Sequence, residues 1–376
     1  MRIEPFGVEL WMNEFENNCR YNLAETCVAS LTVDELLELT GVGAAAFDEI
    51  RSMKLTYGAI EGSARLRSAV AALFADTDAS DVLVTHGAIG ANKLVHEALV
   101  EPDDRVISVQ PTYQQHYSIP ASYGADVAIL RLRPENGYLP DLEELRSLVT
   151  DSTKLVAINN PNNPTGSLIP PEMLAEIGEI ASSAGAWVLC DEVYRGTEQE
   201  GGPGPSIIDV CERGISTGSM SKAFSLAGLR LGWIAGPSEV IGAAMHHRDY
   251  STISVGMIDD HLATIALEHA DVLLERSRSI VRTNLAVLSD WVEAEDRVSW
   301  VKPAAGTTAL LDYGIEMGSR EFCVELLDKT GVLFTPGSAL AAEGTVRIGY
   351  ANTTEVLEAG LPLVSKFLAS IGSPSR

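Results

Sequence analysis

The chain has 376 residues, 46% of them hydrophobic and 21% charged, with 27 basic against 52 acidic side chains and a net charge of −25. This is the composition of a globular core large enough for two or three domains, and it excludes a disordered or fibrous chain. The acidic balance disfavours nucleic acid and anionic membranes as partners. The five cysteines are scattered, with no C-x-x-C pair, which argues against zinc and disulfide frameworks and points to a reduced compartment. No basic start followed by an apolar run opens the sequence, and no apolar stretch reaches the roughly 18 residues of a membrane span. A cytoplasmic protein that binds no membrane and no metal is the expectation.

Short apolar runs alternate with amphipathic segments through the middle of the chain. Strands are expected at 82–85, 105–109, 126–131, 155–159, 187–189, 214–218 and 231–235, with helices at 91–100, 142–148 and 171–184. This alternation predicts an α/β fold with a largely parallel sheet covered on both faces. A long helical stretch starts near Asp260, and the last 90 or so residues mix helices at 320–330 and 354–368 with short strands at 332–334 and 346–348. The expected division is a large domain over 46–284 and a smaller α+β domain built from 1–45 and 285–376. The segment Glu198–Pro205 reads as a surface loop.

Ligands of parallel sheets lie beyond the carboxyl ends of the strands, and four motifs fall there. In Ser219-Met220-Ser221-Lys222, a lysine among small hydroxyl residues is suited to form an imine with an aldehyde. The serines suit an anion, and Arg230 eight residues later can return to it with a planar fork. Asp191-Glu192-Val193-Tyr194 follows a buried run, and a carboxylate there needs a partner such as a protonated pyridine nitrogen. Asn160-Pro161-Asn162-Asn163-Pro164-Thr165-Gly166 makes a rigid turn with fixed amides. Thr85-His86-Gly87-Ala88-Ile89-Gly90 joins a strand to a helix whose free N–H groups suit a phosphate.

Together, in this order and spacing, the motifs resemble the fold-type I pyridoxal-phosphate (PLP) enzymes, and within them the class I/II aminotransferases, over nearly the whole chain. The resemblance implies an aspartate aminotransferase-like fold with a mostly parallel seven-stranded sheet. It implies that Lys222 tethers the cofactor and shuttles protons, that Asp191 holds the pyridine nitrogen protonated, and that Asn163 and Tyr194 bind the cofactor's 3′-oxygen. Tyr113 matches the aromatic residue stacked on the ring; Ala88, Ile89, Ser219, Ser221 and Arg230 match the phosphate cup. Tyr57 resembles the tyrosine that reaches the neighbouring subunit's phosphate, which implies a homodimer. Arg347 matches the arginine that grips the substrate α-carboxylate, with Asn163 beside it. The implied activity is transamination of a free α-amino acid with an oxoacid as acceptor. A lyase, decarboxylating or oxidative deaminase, or cyclase acting on a modified amino acid, such as an arginine derivative or an S-substituted cysteine conjugate, is the alternative.

Two departures stand out. Glu25, in the substrate-covering segment Tyr21–Cys27, is a carboxylate where small neutral residues are usual, and Glu14 and Glu16 lie upstream. This segment, with Tyr21 and Glu25 as substrate contacts, is expected to face a cationic or polar substrate group. Ile89 stands where relatives often carry a polar side chain, so one phosphate hydrogen bond is expected to be missing.

Overall fold

The computed structural model describes residues 2–43 and 45–371. Its centre is a seven-stranded sheet in the order Val82–Thr85, Gly232–Ala235, Gly214–Ser219, Trp187–Asp191, Thr153–Asn159, Arg105–Gln110, Asp126–Arg131. Only Gly232–Ala235 runs antiparallel to its neighbours; the other pairings are parallel. Six of the seven strands are buried along all, or all but one, of their residues. Burial on both faces is why they read as continuous apolar runs rather than alternating ones. Leu83, Leu94, Leu189 and Ile234 belong to one apolar cluster; Ile107, Val156, Leu174 and Val188 belong to another.

A second core surrounds the four-stranded sheet Thr335–Pro336, Thr345–Gly349, Thr308–Asp312, Ser299–Trp300. It gathers Trp11, Leu23 and Val28 from the N-terminal segment with Phe322, Phe334, Ile348 and Phe367 from the C-terminal part. The helix Ala270–Ala294 joins the two cores: Leu273 and Leu274 pack with the large sheet's cluster, Val281, Leu285 and Leu288 with the smaller one.

Two expectations need correction. Residues up to 45 do not all pack with the smaller core. Helix Val33–Thr40, closed by a capping box from Thr32 to Glu35, turns Leu36 into the large sheet's cluster and Leu37 onto Ala46 and Ile265. The N-terminal contribution to the smaller core therefore ends near Val28, because the apolar face of the next helix meets the other unit. The segment Glu198–Pro205 is not wholly a surface loop either. Glu198 is buried, its carboxylate accepting from Gly196 N–H while its carbonyl accepts from Arg282.

Among the described residues, no helix is long and apolar enough to cross a membrane, and no cluster of three metal-ligating side chains occurs.

Candidate functional site

Strand register sets the floor of the site. Asn159 lies beside Asp191 and Asp191 beside Thr217 at the carboxyl ends of three adjacent parallel strands. These ends open into a cavity of about 320 Å³ that reaches the N-terminal segment and Arg347.

The Asp191 carboxylate is buried, so its oxygens need donors. Asn92 Nδ2 donates to Oδ2 at 2.8 Å, Val193 N–H to Oδ1 at 3.2 Å, and His116 Nε2 stands 3.7 Å from Oδ2. Asn92 is itself fixed by Thr217, whose hydroxyl donates to Asn92 Oδ1 at 2.7 Å. The carboxylate is thus aimed into the cavity by groups on both flanking elements.

At one end lies an anion cradle. Helix Gly87–Leu99 starts here, and its first N–H groups have no partner within the helix. Gly87 has a left-handed φ of +68°, and Arg230, at +49°, brings its guanidinium against it. Gly232, held between Thr85 and Ser219, permits this packing: a Cβ there would lie 2.5 Å from Gly87 C and 2.6 Å from Ala88 N. Ser219 and Ser221 line the same end, with Ser221 N–H donating to Ser219 Oγ at 3.2 Å. Ile89 offers no polar side-chain atom; it is 42% exposed, and its carbonyl accepts from Gln115 Nε2 at 2.8 Å.

Over the middle stand Tyr113, Asn163, Tyr194 and Lys222. Asn163 N–H donates to Asn159 Oδ1 at 2.7 Å, and Asn159 Nδ2 to the Asp191 carbonyl at 2.8 Å, which ties the asparagine turn to the aspartate strand. Lys222 Nζ donates to Thr26 Oγ1 at 2.6 Å and approaches Cys27 Sγ at 3.5 Å. Burial opposes the Lys222 charge, but the neighbouring acidic groups of Cys27, Tyr194 and Glu25 outweigh it and hold the amine's pKa above the ordinary lysine value. Burial pushes the Tyr194 phenol up, and the Cys27 thiol up to about 11, against the pull of Lys222.

At the far end, Arg347 is buried. Its NH1 donates to Asn163 Oδ1 at 3.2 Å, and its NH2 to the Ala24 carbonyl and Thr335 Oγ1 at 3.2 and 3.1 Å. Its Nε is buried without a partner, and none of its partners is a carboxylate. A buried cation in this state calls for an anion.

The N-terminal segment closes this side with carboxylates: Glu9, Glu16 and Glu25 all line the cavity. Burial raises the Glu25 pKa, but Lys222 and hydrogen bonds from Cys27 and Thr26 reverse this, leaving it below the usual range. Glu16 is pushed up by burial and then by Glu25 and Glu9, with Asn22 and Lys222 opposing. Glu9 Oε1 accepts from Tyr113 OH at 2.7 Å.

The structure brings Lys222, Asp191, Tyr194, Asn163, Tyr113, Ala88, Ile89, Ser219, Ser221, Arg230, Arg347 and Glu25 to one cavity. It does not bring Tyr21 there. Tyr21 pairs with Val332 in a two-residue parallel ladder, and its ring packs on the smaller core and under Arg20, so strand alternation turns it away. Glu14 also turns away, to an exposed ion pair with Arg320. Tyr57 is 74% exposed and outside its own chain's cavity. Asn92, Gln115, His116, Thr26, Cys27 and Glu9 were not anticipated as site residues. Glu9 had a signal: Glu9 and Glu16, seven residues apart, fall on one helical face with Val8 and Met12.

The cavity suits a flat, phosphorylated pyridine aldehyde. A basic cradle at a helix start, a buried carboxylate in the floor, an amine above it and a spare buried arginine at the other end match its phosphate, ring nitrogen, aldehyde and amino-acid partner in turn. Fold and site together define an aspartate aminotransferase-like α/β enzyme. The family model for aminotransferase class I and II matches residues 31–360. Capreomycidine synthase of Streptomyces vinaceus is 31% identical over 366 residues, covering 96% of this chain and 93% of that protein. The crystal structure of a PLP-dependent aminotransferase from Streptococcus suis superposes with a TM-score of 0.96 at 42% identity, covering 100% of both chains. The structure of a PLP-dependent cyclase, OrfR, superposes at 0.91 with 29% identity over 99% of each chain. The chain belongs to the class I and II aminotransferases and is a PLP-dependent transferase.

Proposed function

We propose that this enzyme transaminates a free α-amino acid whose side chain carries positive charge, using an oxoacid as amino acceptor. PLP supplies the electron sink that weakens a bond at the substrate α-carbon. In this reading Lys222 tethers the cofactor and its Nζ takes and returns the α-proton, a contribution of roughly 10²–10⁴-fold. Asp191 accepts a hydrogen bond from the ring N–H, and Asn163 and Tyr194 donate to the ring oxygen. Tyr113 stacks on the ring. Ala88 and Ile89 N–H groups, Ser219, Ser221 and Arg230 hold the phosphate, and Arg347, beside Asn163, grips the substrate carboxylate in a bidentate pair.

The observation that carries the substrate class is a charge balance. Arg347, Arg230 and Asp191 each have a counterpart in the cofactor or the amino-acid backbone, and Glu25 faces Lys222. Among the described residues neither Glu9 nor Glu16 makes an ion pair, and burial with acidic neighbours pushes the Glu16 pKa up. A cationic side chain supplies the counter-charge. Arginine and its neutral isostere citrulline test this in the wild type and in Glu9→Gln and Glu16→Gln. The account expects kcat/KM to favour arginine in the wild type and the preference to shrink in both variants. Equal use of the two amino acids by the wild type contradicts it.

The similarity to proteins named a synthase and a cyclase is the observation behind a second reading of the same site, elimination or cyclisation of a modified amino acid without an acceptor. Product analysis with and without an oxoacid separates the two, since only transamination requires the acceptor.

We also propose a homodimer. Tyr57, Leu55, Ile60, Tyr250 and Ile253 are exposed large side chains, which a second copy would cover if Tyr57 reached its phosphate cup. The smaller unit, the N-terminal segment with roughly residues 285–376, then acts as the cover of the site.

A further inference from the structure

We propose that the Thr26 hydroxyl is a positioning residue for the Lys222 amine, holding it through both of the protonation states that proton transfer requires. The inference rests on the reading of Lys222 given above. Its starting point is the 2.6 Å hydrogen bond from Lys222 Nζ to Thr26 Oγ1, which joins residues 196 positions apart in the chain.

The hydroxyl is presented by a segment fixed on both sides. Thr26 N–H donates to Glu25 Oε1 at 2.7 Å, and the Thr26 carbonyl accepts from Thr307 Oγ1 at 2.7 Å. One residue upstream, the segment lies flush on the strand that carries Arg347. Gly349 N–H donates to the Leu23 carbonyl at 2.7 Å, and a Cβ at Gly349 would fall 1.8 Å from the Glu25 carbonyl oxygen. Thr26 itself is buried, and the Tyr194 phenol faces the same hydroxyl. Its Oγ1 therefore has little freedom, and so has the amine it holds.

A hydroxyl differs from a carboxylate or a carbonyl in carrying both a proton and lone pairs. It accepts from an ammonium and donates to a neutral amine. A carboxylate or a carbonyl holds only the ammonium. Cys27 Sγ, at 3.5 Å, is a weaker contact whose thiol stays protonated. A base that must take a proton and give it back needs a partner for both states, and Thr26 Oγ1 is the oxygen to which the amine is hydrogen-bonded.

The test uses the cofactor-loaded enzyme and the variants Thr26→Val and Thr26→Ser. Valine keeps the shape and removes the hydroxyl; serine keeps the hydroxyl. Loss of positioning predicts a fall of about 10- to 100-fold in kcat with KM little changed in Thr26→Val, the scale of a misplaced reacting group. The kinetic isotope effect with α-deuterated substrate should rise as the proton step becomes limiting. The midpoint of the pH titration of the cofactor's visible band should move to lower pH, because removing an acceptor disfavours the protonated nitrogen. Thr26→Ser should restore all three. If Thr26→Val does not fold, Thr26→Ala carries the same expectations. A wild-type isotope effect and midpoint in the variants without the hydroxyl would overturn the proposal, as would a serine variant as impaired as the valine one. Failure of the underlying reading looks different: the wild type itself would then show no visible band from a linkage at Lys222.

Discussion

Replacing Arg347 by leucine separates what this side chain does for the fold from what it does for substrate. The guanidinium is fully buried, held by one side-chain amide, one carbonyl and one hydroxyl, with Nε unpartnered and no carboxylate among its hydrogen-bond partners. Burial pulls its pKa down from the ordinary arginine value, which is the sign of an uncompensated charge. Exchanging such a group for an apolar one of similar volume is often neutral or stabilising, so Arg347→Leu is expected to keep the wild-type melting temperature or raise it. Binding is another matter. Truncating one partner of a buried, hydrogen-bonded charge pair costs about 2–5 kcal/mol, or roughly 30-fold to several-thousand-fold in kcat/KM. Arg347→Lys keeps a charge but loses the planar fork and should fall between the two. The assay is kcat/KM for a candidate amino acid and for the corresponding amine without the α-carboxylate. The deficit of Arg347→Leu should be large for the first and nearly absent for the second. An equal deficit for both would mean that Arg347 organises the site rather than gripping a carboxylate, and a sharp loss of stability would refute the argument from uncompensated charge.

Other outcomes follow from the same geometry. Gly232→Ala places a Cβ against backbone atoms of Gly87, Ala88 and Gly218 that cannot rotate away, so it should weaken PLP affinity by displacing the helix start; equilibrium dialysis that finds unchanged affinity contradicts this. Thr217→Val frees Asn92 from its fixed orientation and should lower kcat by about the worth of one buried hydrogen bond, ~0.5–1.5 kcal/mol, read by steady-state kinetics. Burial holds the His96 imidazole's pKa down at about 3, and neither ring nitrogen has a partner. A depressed folded pKa gives stability that is complete above the unfolded value of about 6.5 and is lost as pH falls towards the folded one. Urea unfolding from pH 6.5 down to 4 should therefore show a steeper loss in the wild type than in His96→Phe; parallel curves would contradict the assignment.

The parts of this molecule that were legible in the sequence are those carried by short contiguous patterns. Strands buried on both faces show as unbroken apolar runs, and Val82–Thr85 falls at its expected bounds, as does the less buried edge strand Asp126–Arg131. Residues placed on strand ends by chain connectivity, such as Asp191 and Lys222, come with their strands. What was not legible depends on segments meeting across the fold. Thr26 and Lys222 lie 196 residues apart, and Tyr113 and Glu9 lie 104 apart; no local spacing announces either contact. Tyr21 fails for a subtler reason. It lies in the cavity-covering segment, but in a two-residue strand a one-position change of phase decides whether a side chain faces cavity or core. Leu36 likewise belongs to an amphipathic helix whose periodicity tells that it is buried, not which core receives it.

The most direct test of the account is chemical. Cofactor-loaded protein is reduced with borohydride, digested and mapped by mass spectrometry. The account predicts a visible absorption band before reduction, lost afterwards, with the pyridoxyl mass on the peptide containing Lys222 and no adduct in Lys222→Ala. An adduct on another lysine, or a colourless protein that takes up no label after incubation with PLP, would contradict it.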